Sequence, residues 1–242
     1  MPILVVGDLH GDLKRLELVC EFAEQKNIQH LIAVGDCGFV NISRHTLEIL
    51  SRYNCFIDWI DGNHEDYPYL LSEYGADPHK GDCSIIRGHR LIHIGRGFSM
   101  DLYGRKAVFC GGATTPGFYN GIRHPEEVIS YADVSRSISH TDSHLLFTHE
   151  APNTAHVSHH IRGHLDESCA ASRKQIEEVV TTLEPKYHFH GHYHLSYREK
   201  FGPTTVIGLA CNFDKLMEQV VIYDPKVDIV YRLDDAFNWE PS

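Results

Sequence analysis

The chain has 242 residues, 42% of them hydrophobic, and a formal net charge of −11 with its 19 histidines neutral. That length suits one domain (1–242) with a real core, and the acidic balance disfavours a long-nucleic-acid binder, which needs a basic face. No stretch reaches the ~18–20 consecutive apolar residues of a membrane span. "MPILVVGD" lacks the basic start of a secretory leader, and seven cysteines without a Cys-x-x-Cys pair suit a reducing cytoplasm.

The first third alternates. "ILVV" (3–6), "LIAV" (31–34) and "FIDWI" (56–60) read as buried strands. Between and after them, 13–27, 43–53 and 66–75 carry the apolar spacing of amphipathic helices, the last stopping at Gly75. Strand–helix–strand alternation predicts a parallel sheet with right-handed crossovers. Residues 83–113 hold short apolar runs broken by glycine and read as hairpins, with "YGRK" (103–106) as one turn. A helix is expected over 124–138 with Pro125 in its first turn, then a strand at 144–149, a helix at 169–184 and a strand at 186–194. The remainder, 204–212 and 217–233, reads as antiparallel strands turning at "DPKVD". The segment 151–168 fits no element and carries four histidines, 156, 159, 160 and 164. It reads either as a solvated polar loop or as a substrate-facing one.

Five of these strands end in residues able to hold metal or phosphate. Asp8 and His10 follow the first, Asp36 the second, and Asn63 and His64 the third; His149 ends "LLFTH", and His192 and His194 follow "YHFHG". In an open α/β sheet, ligands bind outside the carboxyl ends of the strands. Taken singly, each residue has a plain reading. An aspartate after a strand is a helix cap, a strand-end histidine is a satisfied core residue, and "HFHGHYH" is a lone zinc site, its alternate histidines sharing one face. His190 reads as a strand residue and Cys37 as a small hydrophobe.

The ordered set "GDLHG" (7–11), "GD" (35–36), "GNHE" (62–65), "TH" (148–149) and "GHYH" (191–194) resembles the calcineurin-like metallophosphoesterase superfamily over nearly the whole chain. "GNHE" with the later "GGA" (111–113) is similar to its small bacterial and phage-type members. The resemblance implies an α/β fold, a four-layer α-β-β-α sandwich of two mixed sheets. It also implies that Asp8, His10 and His194 hold one divalent ion, that Asn63, His149 and His192 hold another, and that Asp36 bridges them. Two carboxylates, an amide and four imidazoles suit Mn²⁺, with Fe or Zn²⁺ as alternatives. Two ions roughly 3.5–4 Å apart can clamp a phosphoryl group and activate a shared water as nucleophile. His64, outside the metal set, is implied to bind the phosphoryl oxygens or protonate the leaving group.

The sequence departs from the protein phosphatases of that superfamily, which carry Asp-Arg-Gly where this chain reads "GDCGFVN" (35–41). With that arginine missing, Arg96, Arg123 and Arg162 are the candidate phosphate grips. Phe39 and "GFYNG" (117–121) would suit a flat organic ester group. The expectation is a phosphoesterase acting on small phosphodiesters. Alternatives are a phosphomonoesterase or protein phosphatase of the same fold, a nuclease, and a non-catalytic metal-binding scaffold.

Overall fold

The computed structural model describes residues 1–38, 44–87, 90–115, 124–155 and 167–232. Two mixed sheets lie face to face. The first has seven strands. β1 (Ile3–Val6), β2 (His30–Ala33) and β3 (Phe56–Trp59) run parallel at its centre. β5 (Leu91–Ile94) continues them in parallel, and β4 (Cys83–Arg87) closes that edge antiparallel. At the other edge β12 (Val220–Asp224) and β13 (Ile229–Arg232) add antiparallel to β1. The second sheet orders β10 (Tyr197–Phe201), β11 (Thr204–Gly208), β9 (Tyr187–His190), β8 (Leu145–Thr148), β7 (Lys106–Cys110) and β6 (Phe98–Asp101).

Period-two alternation builds the layers. On β1, Leu4 and Val6 face an outer core with α1 (Leu13–Gln25), α2 (Arg44–Arg52) and α3 (Tyr67–Tyr74), whereas Ile3 and Val5 face the core between the sheets. Phe109, Phe147 and Phe189 sit side by side on β7, β8 and β9, their rings stacked at 5.0 and 5.1 Å across that inner core. α4 (Tyr131–Ile138) and α5 (Glu167–Leu183) cover the outer face of the second sheet, where Val134, Ile176 and Val180 meet Val108 and Leu146. A one-turn α6 (Leu216–Gln219) precedes β12. This is the expected four-layer sandwich.

Three details differ from the sequence reading. The helix expected over 124–138 is broken. Pro125–Glu127 is a separate 3-10 turn, and α4 starts afresh because Ser130 and Asp133 form a reciprocal capping box. β10 was not anticipated. Its sequence "YREKF" is charged and half-buried, as suits an edge strand that resists further pairing. β11 is not part of a purely antiparallel remainder: it runs parallel to β9 and antiparallel to β10. The histidine-rich loop, apart from residues 151–155 and from 167–168, which open α5, lies outside the described residues, as do Phe39, "GFYNG", Arg123 and Arg162. Among the described residues, no helix is long and apolar enough to cross a membrane.

Candidate metal centre

Parallel strands place their carboxyl ends on one rim, and the five motifs meet there. Asp8, His10 and His194 have ligand atoms within 4.8 Å of one another, and so do Asp8, Asp36 and His149. Asn63 Oδ1 lies 3.1 Å from His149 Nε2, and Asp36 Oδ2 lies 3.4 Å from the same nitrogen. Asp8 therefore belongs to both trios. Asp36 also reaches both sides: burial disfavours the charged forms of His10 and His149, and the Asp36 carboxylate opposes it at each. His192 falls in neither trio. Its ring stands 5.0 Å from that of His149.

The motifs brace one another through backbone. The His64 N–H donates to Asp36 Oδ1 at 2.7 Å, and the His192 N–H donates to the Asp8 carboxylate at 3.1 Å. Such approach leaves no room for side chains at the neighbouring glycines. A Cβ on Gly62 would stand 2.1 Å from Asp36 Oδ1, and one on Gly191 the same distance from Asp8 Oδ1. Four of the candidate ligands, His10, Asp36, His192 and His194, have left-handed φ angles of 46°, 48°, 69° and 53°. That region is uncommon for residues other than glycine, costing ~1–2 kcal/mol each, and it clusters where the surroundings dictate it.

The donor set can be tested against a cation. His149 Nδ1 lies 2.7 Å from the Val34 carbonyl, an acceptor, so it carries hydrogen and leaves Nε2 to face the site. There, among the described residues, Nε2 meets oxygens of Asp36 and Asn63. Such a ring of electron-pair donors needs a positive charge at its centre. A proton is the smallest that can serve: burial opposes the charged imidazole, but the Asp36 and Asp8 carboxylates hold His149 up to about 10. The hydrogen bond to Asp8 likewise lifts His194 to about 10. His10 Nε2 faces His194 Nε2 at 3.0 Å, while both point towards Asp8 Oδ2. His192 Nε2 is buried with no hydrogen-bond partner, and burial first, then the charge on His149, holds its pKa well below the imidazole range. Burial pushes the Asp36 carboxyl up, yet His149, His64 and His10 bring it well below the usual range. An unpartnered imidazole nitrogen, facing imidazoles and converging carboxylates fit divalent ions.

His64 is exposed at the mouth, its ring 5.4 Å from that of His10. Arg96 is not at the mouth. It is fully buried and bonded to Asp61, Glu126 O and Val128 O, so it is removed from the candidate phosphate grips. His190 is a strand residue, buried and 2.5 Å from the Tyr197 hydroxyl, and Cys37 is buried with its thiol pushed up by desolvation. Sequence reasoning missed Glu65, which accepts the Cys37 N–H, and Thr115, which accepts from Asn63 Nδ2 at 3.1 Å. It also missed Glu150, which accepts from Tyr193 and Ser172 and lies 3.9 Å from His192 Nε2. "GNHE" had pointed to Glu65 only as a letter of the motif. Burial, together with the Asp36 charge, pushes its carboxyl up to about 8.

The model of the calcineurin-like phosphoesterase family matches residues 1–196. The chain belongs to that family. It is accordingly a metal-dependent hydrolase of phosphate esters. Solved structures agree in fold. A Danio rerio dimetal phosphatase is similar with a TM-score of 0.61 at 11% identity, covering 92% of this chain and 91% of its own. A Thermus thermophilus protein scores 0.59 at 15% identity, covering 95% and 96%. An archaeal phosphodiesterase scores 0.50 at 16% identity, covering 95% and 97%. At such identity these likenesses show the fold alone. No curated protein matches the chain.

Proposed function

We propose that this phosphoesterase is dinuclear and hydrolyses small-molecule phosphodiesters. The observation that carries the dinuclear reading is His149 Nε2, held between oxygens of Asp36 and Asn63 while His10 and His194 converge on Asp8 on the other side. Asp8, His10 and His194 would hold one ion, Asn63, His149 and His192 would hold the other, and Asp36 would serve both. The donor set favours Mn²⁺, with Fe or Zn²⁺ as alternatives. When bound, the ions supply Lewis-acid neutralisation of phosphoryl oxygens and a nucleophilic water near neutral pH.

The chain's own residues do the rest. Asp8 and Asp36 give the rim a negative field that only cations can compensate. The Val34 carbonyl fixes the His149 tautomer. His64, braced by its own N–H on Asp36, presents its ring to solvent, where it donates a proton to the leaving oxygen. A monoester dianion asks for a further cation, and the burial of Arg96 withdraws one of its three candidates. A diester monoanion asks for less. This supports the diester reading.

The seven cysteines are all free and six are buried, in keeping with a cytoplasmic protein. The net charge of −11 favours a small ester over a long nucleic acid as partner. The test is kcat/KM on bis-p-nitrophenyl phosphate against p-nitrophenyl phosphate, with Mn²⁺ at neutral pH. The diester should be preferred. A tenfold monoester preference, ~1.4 kcal/mol of transition-state discrimination, would reverse the reading and point to Arg123 or Arg162.

A further inference from the structure

Asn63 is an amide, and only its oxygen can serve a cation. Its two ends differ by one proton-bearing nitrogen, so something must choose which end faces the site. The chain of bonds behind it does so. Asn63 Nδ2 donates to Thr115 Oγ1 at 3.1 Å, and Thr115 Oγ1 donates to Glu127 Oε2 at 3.1 Å. All three residues are buried, Glu127 completely. The Glu127 carboxylate accepts from Thr115 twice, from its backbone N–H at 3.5 Å and from its hydroxyl at 3.1 Å. The Thr115 hydroxyl proton is therefore committed to Glu127, and the hydroxyl offers Asn63 a lone pair. That lone pair takes the NH₂ end of the amide and turns Oδ1 to the site, where it stands 3.1 Å from His149 Nε2.

The two ends of this chain are held in register by one guanidinium. Arg96 bonds Asp61, two residues before Asn63, and it also bonds the carbonyls of Glu126 and Val128, which flank Glu127. Tyr67 adds a bond to Gly62 O and one to Asp61 Oδ2. Glycine at 112 makes the clamp possible, because a Cβ there would stand 2.6 Å from the Arg96 guanidinium. The loop that ends β3 and the 3-10 turn before α4 are thus fixed to each other by a buried cation.

We propose that Glu127 and Thr115 are positioning residues that set the polarity of the Asn63 amide and so the affinity of the second metal ion. This rests on the reading of Asn63 as a ligand. The ion of the first site owes nothing to the relay, since Asp8, His10 and His194 converge on one another, whereas the relay reaches the rim through Asn63.

The test is Mn²⁺ titration by calorimetry of the metal-free full chain, alone and as Thr115→Val, Thr115→Ser and Glu127→Gln, with melting of each metal-free variant alongside. Thr115→Val keeps the shape and removes the lone pair. It should bind the first ion as wild type does and the second ~10–100-fold more weakly, the usual cost of losing a partner behind a ligand. Thr115→Ser should restore the second ion. Glu127→Gln, which can donate as well as accept, should fall between. The metal-free melting of Thr115→Ser should match wild type and identify its binding as that of a folded protein. Two undiminished ions in Thr115→Val would overturn the relay while leaving the ligand reading intact. A wild type that binds fewer than two ions would overturn both. Equal loss of both ions in Thr115→Val and Thr115→Ser would show a structural role alone and would also overturn it.

Discussion

The strands of this protein carry histidine–aspartate clusters at both ends, and the two ends are chemically opposite. At the amino end of the parallel strands, His30 on β2 lies 2.8 Å from Asp58 on β3, and its other ring nitrogen lies 3.1 Å from the Tyr103 hydroxyl. Nearby in kind, Asp228 in the β12–β13 turn takes bonds from His144 at 2.8 Å, from Tyr223 at 2.9 Å and from Lys186. Asp228 meets donors on both of its oxygens and Asp58 Oδ2 meets His30, although Asp58 Oδ1 has no partner, and the bonds tie one sheet to the other. At the carboxyl end the same residue types stand 3.2–4.0 Å apart. There two imidazole nitrogens face each other, and one nitrogen has no partner. Satisfied pairs are struts, whereas a cluster that lacks only positive charge is a receptacle.

The comparison can be broken most directly at Asp36. Asp36→Asn should weaken both ions and lower turnover by at least ~10²-fold, as the several kcal/mol of Lewis-acid stabilisation is lost. Metal analysis and steady-state kinetics check this: two ions with normal turnover would show that Asp36 is not shared between them, and a wild type that binds no ion would show that the carboxyl-end cluster is only another strut. His64→Asn should have a narrower effect. Metal content should stay at the wild-type value and KM within a few-fold, while kcat falls ~10²-fold, the pattern of an interaction made mainly in the transition state. Unchanged kcat would place the leaving-group proton elsewhere.

The smallest effect belongs to the other end. Asp228→Asn should lower stability by ~1 kcal/mol, about 2–4 °C for a chain this size, with metal content and turnover unchanged. Burial pushes the Asp228 carboxyl up, but the bonds from Lys186, His144 and Tyr223 leave it below its usual range. A depressed folded-state pKa stabilises above the unfolded value near ~4 and stops doing so as pH falls through the folded one. The melting curves of wild type and variant should therefore differ from pH 7 down to about 5, and the gap should narrow once pH falls below the unfolded value of ~4 and close as it falls through the depressed folded one. A gap that persists undiminished at pH 3, or a change in turnover, would blur the distinction between the two ends.

The sequence by itself determined the alternating strands and helices of the first third and the residues gathered on the rim, while the sandwich class followed from the family resemblance of its motifs. The physical reason is local. Period-two and period-3.6 burial is written in neighbouring residues, and parallel strands must deliver their carboxyl ends to one side. Tertiary structure alone decided which histidines were left wanting. His190 and His192 are two residues apart, yet one is satisfied by Tyr197 and the other has a bare nitrogen. It also decided the fate of Arg96, a free cation on paper and a buried clamp in the fold, because Asp61 and the carbonyls that claim it lie 30 to 35 residues away. Thr115 and Glu127 follow the same rule. They serve Asn63 from 52 residues off and from beyond a further turn, and no periodicity or spacing joins partners that only the packing of two layers brings within a hydrogen bond.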